Sequence, residues 1–210
     1  MSNGRRIAVA LVLSAIVVGV APAQERPDAL ELYRNGNYQR AVEVTLTEIE
    51  EQPRNMDAYT VLGWSLLALG RHEDALQYGL RALEISRFDA RIIHIVAESH
   101  YFLGNYLDSL GYFEEYVAVA PTGDLVDQVY FTMGEIFLRF GEYHHADAAI
   151  STAVYLDNDI AAWWSRLGFA REQAAEYAYA LEAYERALEL NPNLADAARG
   201  LERVQEQLTG

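Results

Sequence analysis

The sequence contains neither cysteine nor lysine. Without cysteine, the chain has no disulfides, thiol nucleophiles or cysteine-ligated metal sites. All 16 basic residues are arginines, against 31 acidic residues, so the formal net charge is -15 at pH 7. Binding to nucleic acid or to an anionic membrane surface needs a basic patch, which this balance disfavours. The acid excess either keeps the protein soluble or suits a basic partner.

The first 23 residues have the pattern of a secretory signal peptide. Arg5 and Arg6 supply the positive start, and residues 7–20 form an apolar run. Residues 21–23 (Ala-Pro-Ala) then form a cleavage site that predicts a mature chain beginning at Gln24. The run is shorter than the roughly 20 residues that a membrane-spanning helix needs, although an uncleaved segment would act as a membrane anchor. Export without cysteine favours the periplasm of a bacterium.

The remainder of the chain repeats at intervals of about 34 residues. Small residues recur in three series, which are Gly36, Gly70, Gly104, Gly141 and Ala175; Gly63, Ala97, Gly134 and Gly168; and Ala41, Ala75, Ser109, Ala146 and Ala180. Every step is 34 residues except one step of 37 in each series, always between the third and fourth units. Three independent series therefore agree on one period and one insertion, which indicates a repeat architecture.

Each unit is predicted to be a pair of helices. In the second unit Tyr59, Leu62, Gly63 and Leu66 follow the i, i+3, i+4, i+7 spacing of one helix face. Gly70 is placed to end that helix in a left-handed turn. Close packing explains the small residues. We expect the Gly63 series where the two helices of a unit meet, and Ala41, Ala75, Ala146 and Ala180 between neighbouring units.

These residues resemble the tetratricopeptide-repeat family, whose pattern is W-x2-L-G-x2-Y, then A-x3-F, then P. The fifth unit reads Trp164-x2-Leu167-Gly168-x2-Arg171, then Ala180-x3-Tyr184, then Pro192, and the third unit is looser. The resemblance implies an all-α solenoid over residues 24–193 with about five helix-turn-helix repeats, followed by a capping helix over residues 194–210. The repeats fall at about 26–55, 56–89, 90–123, 127–160 and 161–193, and the first helix of the first unit begins near Arg26 or Asp28.

Motifs for catalysis or metal binding are scarce. The sequence contains no G-x-S-x-G, G-x-G-x-x-G, P-loop or H-E-x-x-H motif. His144 and His145 are adjacent and point to different sides of a helix, so they are a poor metal site. We therefore expect no enzyme activity, no metal and no cofactor.

In the family that the sequence resembles, the first helices of successive units line a concave groove. The stripe offset from the packing face predicts partner contacts at Thr60, Trp64, Leu67, His94, Glu98, Tyr101, Phe131, Glu135, Leu138, Phe169 and Glu172. The rings would anchor an apolar segment and the glutamates would favour a partner that carries Arg or Lys. Alternatively, the rings pack between neighbouring first helices and belong to the core. Without lysine, the groove does not resemble a clamp for a carboxylate tail.

The sequence thus predicts a non-enzymatic scaffold or adaptor that binds a protein or peptide, in a bacterial envelope assembly. A periplasmic assembly chaperone that holds client chains transiently is the main alternative, and a carbohydrate-binding or enzymatic envelope protein is a third. The sequence leaves the partner, pathway, organism and oligomeric state open.

Overall fold

The computed structural model describes residues 27–210, which form eleven α-helices and no strand. The helices are α1 (Ala29–Arg34), α2 (Tyr38–Glu51), α3 (Met56–Ala68), α4 (His72–Ile85), α5 (Ala90–Phe102), α6 (Tyr106–Val119), α7 (Val126–Phe140), α8 (Tyr143–Leu156), α9 (Ala161–Gln173), α10 (Tyr177–Leu190) and α11 (Ala195–Thr209). The prediction of an all-α solenoid with a final capping helix is confirmed. The predicted signal peptide, residues 1–23, lies outside the described residues.

The helices pair in chain order as five antiparallel hairpins, and α11 packs on the last one. Asp28 caps the start of the short helix α1, and its side chain accepts a hydrogen bond of 2.8 Å from the backbone N–H of Leu30. An aspartate in this position satisfies backbone donors that the first turn leaves free. In the part of the chain that the structure describes, no helix is both long and apolar enough to cross a membrane.

The turn inside each hairpin uses a residue in the left-handed region. Gly36, Gly70, Gly104 and Gly141 have φ between 70° and 79°. The turn at Gly36 is closed by the N–H of Asn37, which donates to the carbonyl of Leu32 at 2.8 Å. In the fifth hairpin Ala175 takes this position with φ 60°, and it is the one non-glycine residue with positive φ among residues 27–210. The first series of small residues therefore recurs because each of the five turns requires a residue that tolerates a positive φ.

The other two series pack helices closely, but not always where the sequence predicts. A Cβ added at Gly168 would lie 2.7 Å from Cδ1 of Tyr184 in the second helix of the same unit, as expected. Gly63 instead faces Ile95 in the first helix of the next unit. In the third unit Ser109 donates a hydrogen bond of 2.9 Å to the carbonyl of Ala97 within the unit. The expected contact is thus wrong at Gly63.

The first helices form the inner layer of the solenoid. Helix α3 contacts both α1 and α5, and α9 contacts α11, whereas the main contacts of the second helices in residues 27–210 are with neighbouring first helices. Helices that approach each other along one side lie on the concave side of a curved array. The insertion, which begins near Pro121, loosens this pattern, because α6 and α7 share the least extensive junction between successive units. The backbone of α7 makes little approach to α5 or α9, although its side chains reach α9 through the Phe131–Trp163 stack and the Glu135–Arg166 ion pair.

Candidate partner-binding groove

The predicted stripe lies on α3, α5, α7 and α9 of the inner layer, but two of its members are inside the wall. Thr60 is 1% exposed and its hydroxyl donates to the carbonyl of Met56 at 2.9 Å. His94 is 8% exposed and its ring makes edge contacts with Phe113 and Tyr116 of α6. These two side chains therefore belong to the core beneath the groove. Leu67, Leu138 and the other seven predicted residues are half-buried.

The four aromatic residues of the stripe each pack against a neighbour. Trp64 lies 5.6 Å from the ring of Tyr33, and Tyr101 lies 5.7 Å from the ring of Tyr106. Phe131 stacks on Trp163 of α9 with ring centroids 4.9 Å apart, and the guanidinium of Arg166 lies 5.2 Å from the ring centre of Phe169. The rings of Trp64, Tyr101 and Phe131 therefore contribute to packing between helices, whereas Phe169 contacts Arg166 of its own helix, and none of the four rings is fully buried.

Two of the three glutamates are bound by arginines of the chain itself. Glu135 accepts two hydrogen bonds from Arg166, one of them 2.9 Å long. Glu172 accepts two from Arg203 of α11, at 2.6 and 2.7 Å, and one of 2.7 Å from the hydroxyl of Tyr184. Burial opposes the charge of Glu172, but these hydrogen bonds outweigh it and hold its pKa below the usual value. Two-pronged contacts of this kind fix both side chains.

Glu98 has a different environment. Its nearest charged or titratable neighbour is His94, with Nδ1 of the histidine 3.6 Å from Oε2 of the glutamate. That distance is too long for a hydrogen bond, and the buried Nδ1 has no other hydrogen-bond partner. Burial raises the pKa of Glu98 to about 7 and lowers the pKa of His94 to about 4. The pair is therefore uncharged or weakly charged near neutral pH.

Two clefts flank the groove. The first, of about 440 Å³, lies between the start of α1 and α3 and includes Leu30, Trp64 and Arg91 in its lining. The second, of about 340 Å³, lies between α9 and α11 and includes Phe169 and Arg203. Both have the volume of small-ligand pockets, and each joins an aromatic ring to an arginine. Each is thus suited to hold one side chain of an extended segment.

The arginines of the groove were not predicted from the sequence. Arg166 lies 31 residues after Glu135, and Arg203 lies 31 residues after Glu172. A spacing slightly shorter than the 34-residue period brings an acid of one first helix to a base of the next. That repeated spacing is a signal that the sequence contains. Tyr33, which contacts Trp64, had no such signal because α1 is too short to show the full pattern.

Tetratricopeptide-repeat profiles match residues 28–90, 127–160 and 161–194, which together make up more than half of the chain. The chain belongs to the tetratricopeptide-repeat family. Residues 91–126 lie between these matches and contain α5, α6 and the insertion. This is the region that the sequence shows as the looser third unit. A search of curated protein sequences finds no match.

Several solved structures share the fold at low sequence identity. MamA is 15% identical with a TM-score of 0.71, over 80% of this chain and 97% of that chain. MamA from Desulfovibrio magneticus RS-1 is 18% identical with a TM-score of 0.70, over 80% and 93%. YrrB, described as a tetratricopeptide-repeat protein with an unusual peptide-binding site, is 17% identical with a TM-score of 0.73, over 80% and 84%. These likenesses show the fold.

Proposed function

We propose that this protein is a non-enzymatic scaffold or adaptor that binds an extended peptide or protein segment along the inner face of its first helices. The observation that carries the proposal is the row of half-buried rings at Trp64, Tyr101, Phe131 and Phe169, between two clefts. Rings fixed on one side and accessible on the other resemble the rigid anchors of protein interfaces. The peptide-binding site described for YrrB, a protein of the same fold, adds support.

The partner we propose is apolar with one or more basic residues, because the chain has a net charge of -15 and one groove glutamate, Glu98, is bound by no arginine among residues 27–210. Nucleic acid does not suit such a surface. The N-terminal pattern further leads us to propose export to a bacterial periplasm and a role in an envelope assembly. Intact-mass analysis of the exported protein tests the export step, and a chain that still begins at Met1 would count against it.

Site-specific photo-crosslinking tests the binding proposal. A crosslinking amino acid at Leu67, in the groove, should capture a defined partner segment in the native host, whereas the same group at Phe88 should not. Phe88 is 72% exposed and lies between α4 and α5, away from the predicted stripe. A synthetic peptide of the captured segment then allows affinities to be measured.

With that peptide, Phe131→Ala should weaken binding by about 2 kcal/mol or more, as truncating an anchor usually does. Phe88→Ala, which removes an exposed ring of the same size, should leave the affinity unchanged. Thermal unfolding of both variants separates lost binding from lost folding, because Phe131 also stacks on Trp163. Equal affinity of a folded Phe131→Ala variant and the wild type would refute binding in this groove.

The alternative, an assembly chaperone that holds clients transiently, predicts many captured segments with weak and similar affinities. One segment at a defined stoichiometry supports the scaffold instead.

A further inference from the structure

Glu98 and Glu135 hold equivalent positions in successive units, each directly after the small residue of the helix, Ala97 or Gly134. Glu135 is bound by Arg166 of the following first helix. In the unit before, the position equivalent to Arg166 is occupied by Thr132, 34 residues earlier.

The hydroxyl of Thr132 donates to the carbonyl of Gln128 on its own helix at 2.9 Å. Thr132 carries no charge with which to compensate Glu98. Glu98 is therefore the stripe glutamate that receives no arginine among residues 27–210.

The carboxylate of Glu98 is crowded but accessible. Its side chain is 36% exposed, so a ligand can reach it from the groove. His94 lies beneath it, and Tyr33 of α1 is close enough for the charge of Glu98 to raise the pKa of the tyrosine, in addition to the larger effect of burial. The ring of Tyr33 in turn contacts Trp64, which occupies on α3 the position that Glu98 occupies on α5. One acid without an arginine partner thus lies near the ring of Tyr33, which itself contacts the ring of Trp64.

We propose that Glu98 binds one cationic side chain, an arginine or a lysine, of the segment held in the groove, with the rings of Tyr33 and Trp64 beside it. This inference rests on the proposed function. A guanidinium or ammonium would donate charge-assisted hydrogen bonds to the carboxylate and could contact the aromatic faces. Among the described residues no group of three or more acids or histidines is arranged to hold a metal ion, so a single organic cation fits Glu98 better than a metal.

The protonation of Glu98 supplies a distinctive signature. Because its pKa is about 7, the carboxyl is mostly neutral at pH 6 and mostly ionised at pH 8. The titratable groups that face it do not change over this range, since the pKa of His94 is about 4 and that of Tyr33 is raised above its ordinary value of 10. Binding of a cation should therefore strengthen about tenfold between pH 6 and pH 8, in proportion to the ionised fraction of Glu98.

Two peptide pools provide the probe. Each contains acetylated, amidated nonapeptides of apolar residues with one central arginine, and the second pool replaces arginine with citrulline, which keeps the shape without the charge. We expect the wild-type protein to prefer the arginine pool by about tenfold at pH 8, as a charge-assisted hydrogen bond allows. Glu98→Gln should abolish that preference and its pH dependence.

Glu114→Gln is the matched control, because it changes the net charge by the same amount at an exposed position of helix α6, outside the predicted stripe. It should keep both the preference and the pH dependence. Equal loss in the two variants would overturn the assignment to Glu98, and so would binding of both pools with equal affinity by the wild type. In either case binding itself would still support the groove. If the wild type bound neither pool, the proposed function would fail together with this inference.

Discussion

Replacing Ala175 with glycine should stabilise the protein, although it removes a methyl group. Ala175 has φ 60°, in the region where the Cβ of an L-residue approaches the following carbonyl oxygen. The four equivalent turn residues are glycines with φ of 70° to 79°. Ala175 is exposed, so the methyl group contributes little packing.

The expected gain is the difference between two opposing terms. Relief of the left-handed conformation contributes roughly 1–2 kcal/mol. The greater conformational entropy of glycine in the unfolded chain lowers the stability by about 0.4–1 kcal/mol. The net gain is therefore about 0.5–1 kcal/mol, which corresponds to a rise in melting temperature of about 1–4 °C for a chain of this size.

Urea unfolding followed by tryptophan fluorescence is a suitable assay, because two of the three tryptophans, Trp163 and Trp164, lie on α9 of the same unit. Ala174→Gly is the control at the preceding residue, which has φ -79°. Glycine relieves no strain there and should destabilise the unit by about 0.4–1 kcal/mol. An Ala175→Gly variant that is no more stable than the wild type, or an equal gain from Ala174→Gly, would refute the reasoning.

Gly168→Ala should destabilise the fold by about 1–3 kcal/mol, because the new Cβ would press on the buried ring of Tyr184. Gly111→Ala should instead stabilise the fold by about 0.5–1 kcal/mol, because Gly111 lies inside helix α6 and a Cβ there would meet nothing within 4 Å. Denaturant titration compares the two variants, and equal effects would contradict the close packing of Gly168 on Tyr184. Because burial lowers the folded-state pKa of His94 to about 4 from 6.5, this residue contributes stability that is present above pH 6.5 and is lost as the pH falls towards 4. Between pH 7.5 and 4.5 the wild type should thus lose about 2 kcal/mol more unfolding free energy than His94→Asn, and equal losses would show that His94 titrates normally.

The repeat and its period could be read from the sequence because they depend on local rules. A helix that ends in a left-handed turn needs glycine or a small tolerant residue there, so Gly36, Gly70, Gly104 and Gly141 mark the turns without knowledge of the fold. Local rules also mark the buried helix positions at which two helices pack closely, because only Gly, Ala or Ser is small enough there. Local rules also located the insertion between the third and fourth units.

The partners of these positions were decided by the tertiary structure. Gly63 faces Ile95 of the next first helix, whereas Gly168 faces Tyr184 of its own second helix, although both occupy one position of the repeat. In the second unit the position equivalent to Tyr184 is Gly79, which has no side chain to place against Gly63, and Ile95 of the next unit fills that space. Thr60 and His94 also depended on the tertiary structure, since they are buried although the other residues of the stripe are half-buried.

The charge of the groove was likewise a tertiary result. From the sequence, Glu98, Glu135 and Glu172 are three equal acids that await a basic partner. In the folded chain Arg166 and Arg203 come within hydrogen-bonding distance of Glu135 and Glu172 and leave Glu98 without an arginine. The positions of the three glutamates can be read from the sequence, but their ion pairs cannot. An ion pair forms only where the offset between successive units brings a basic side chain within a few ångströms of an acidic one.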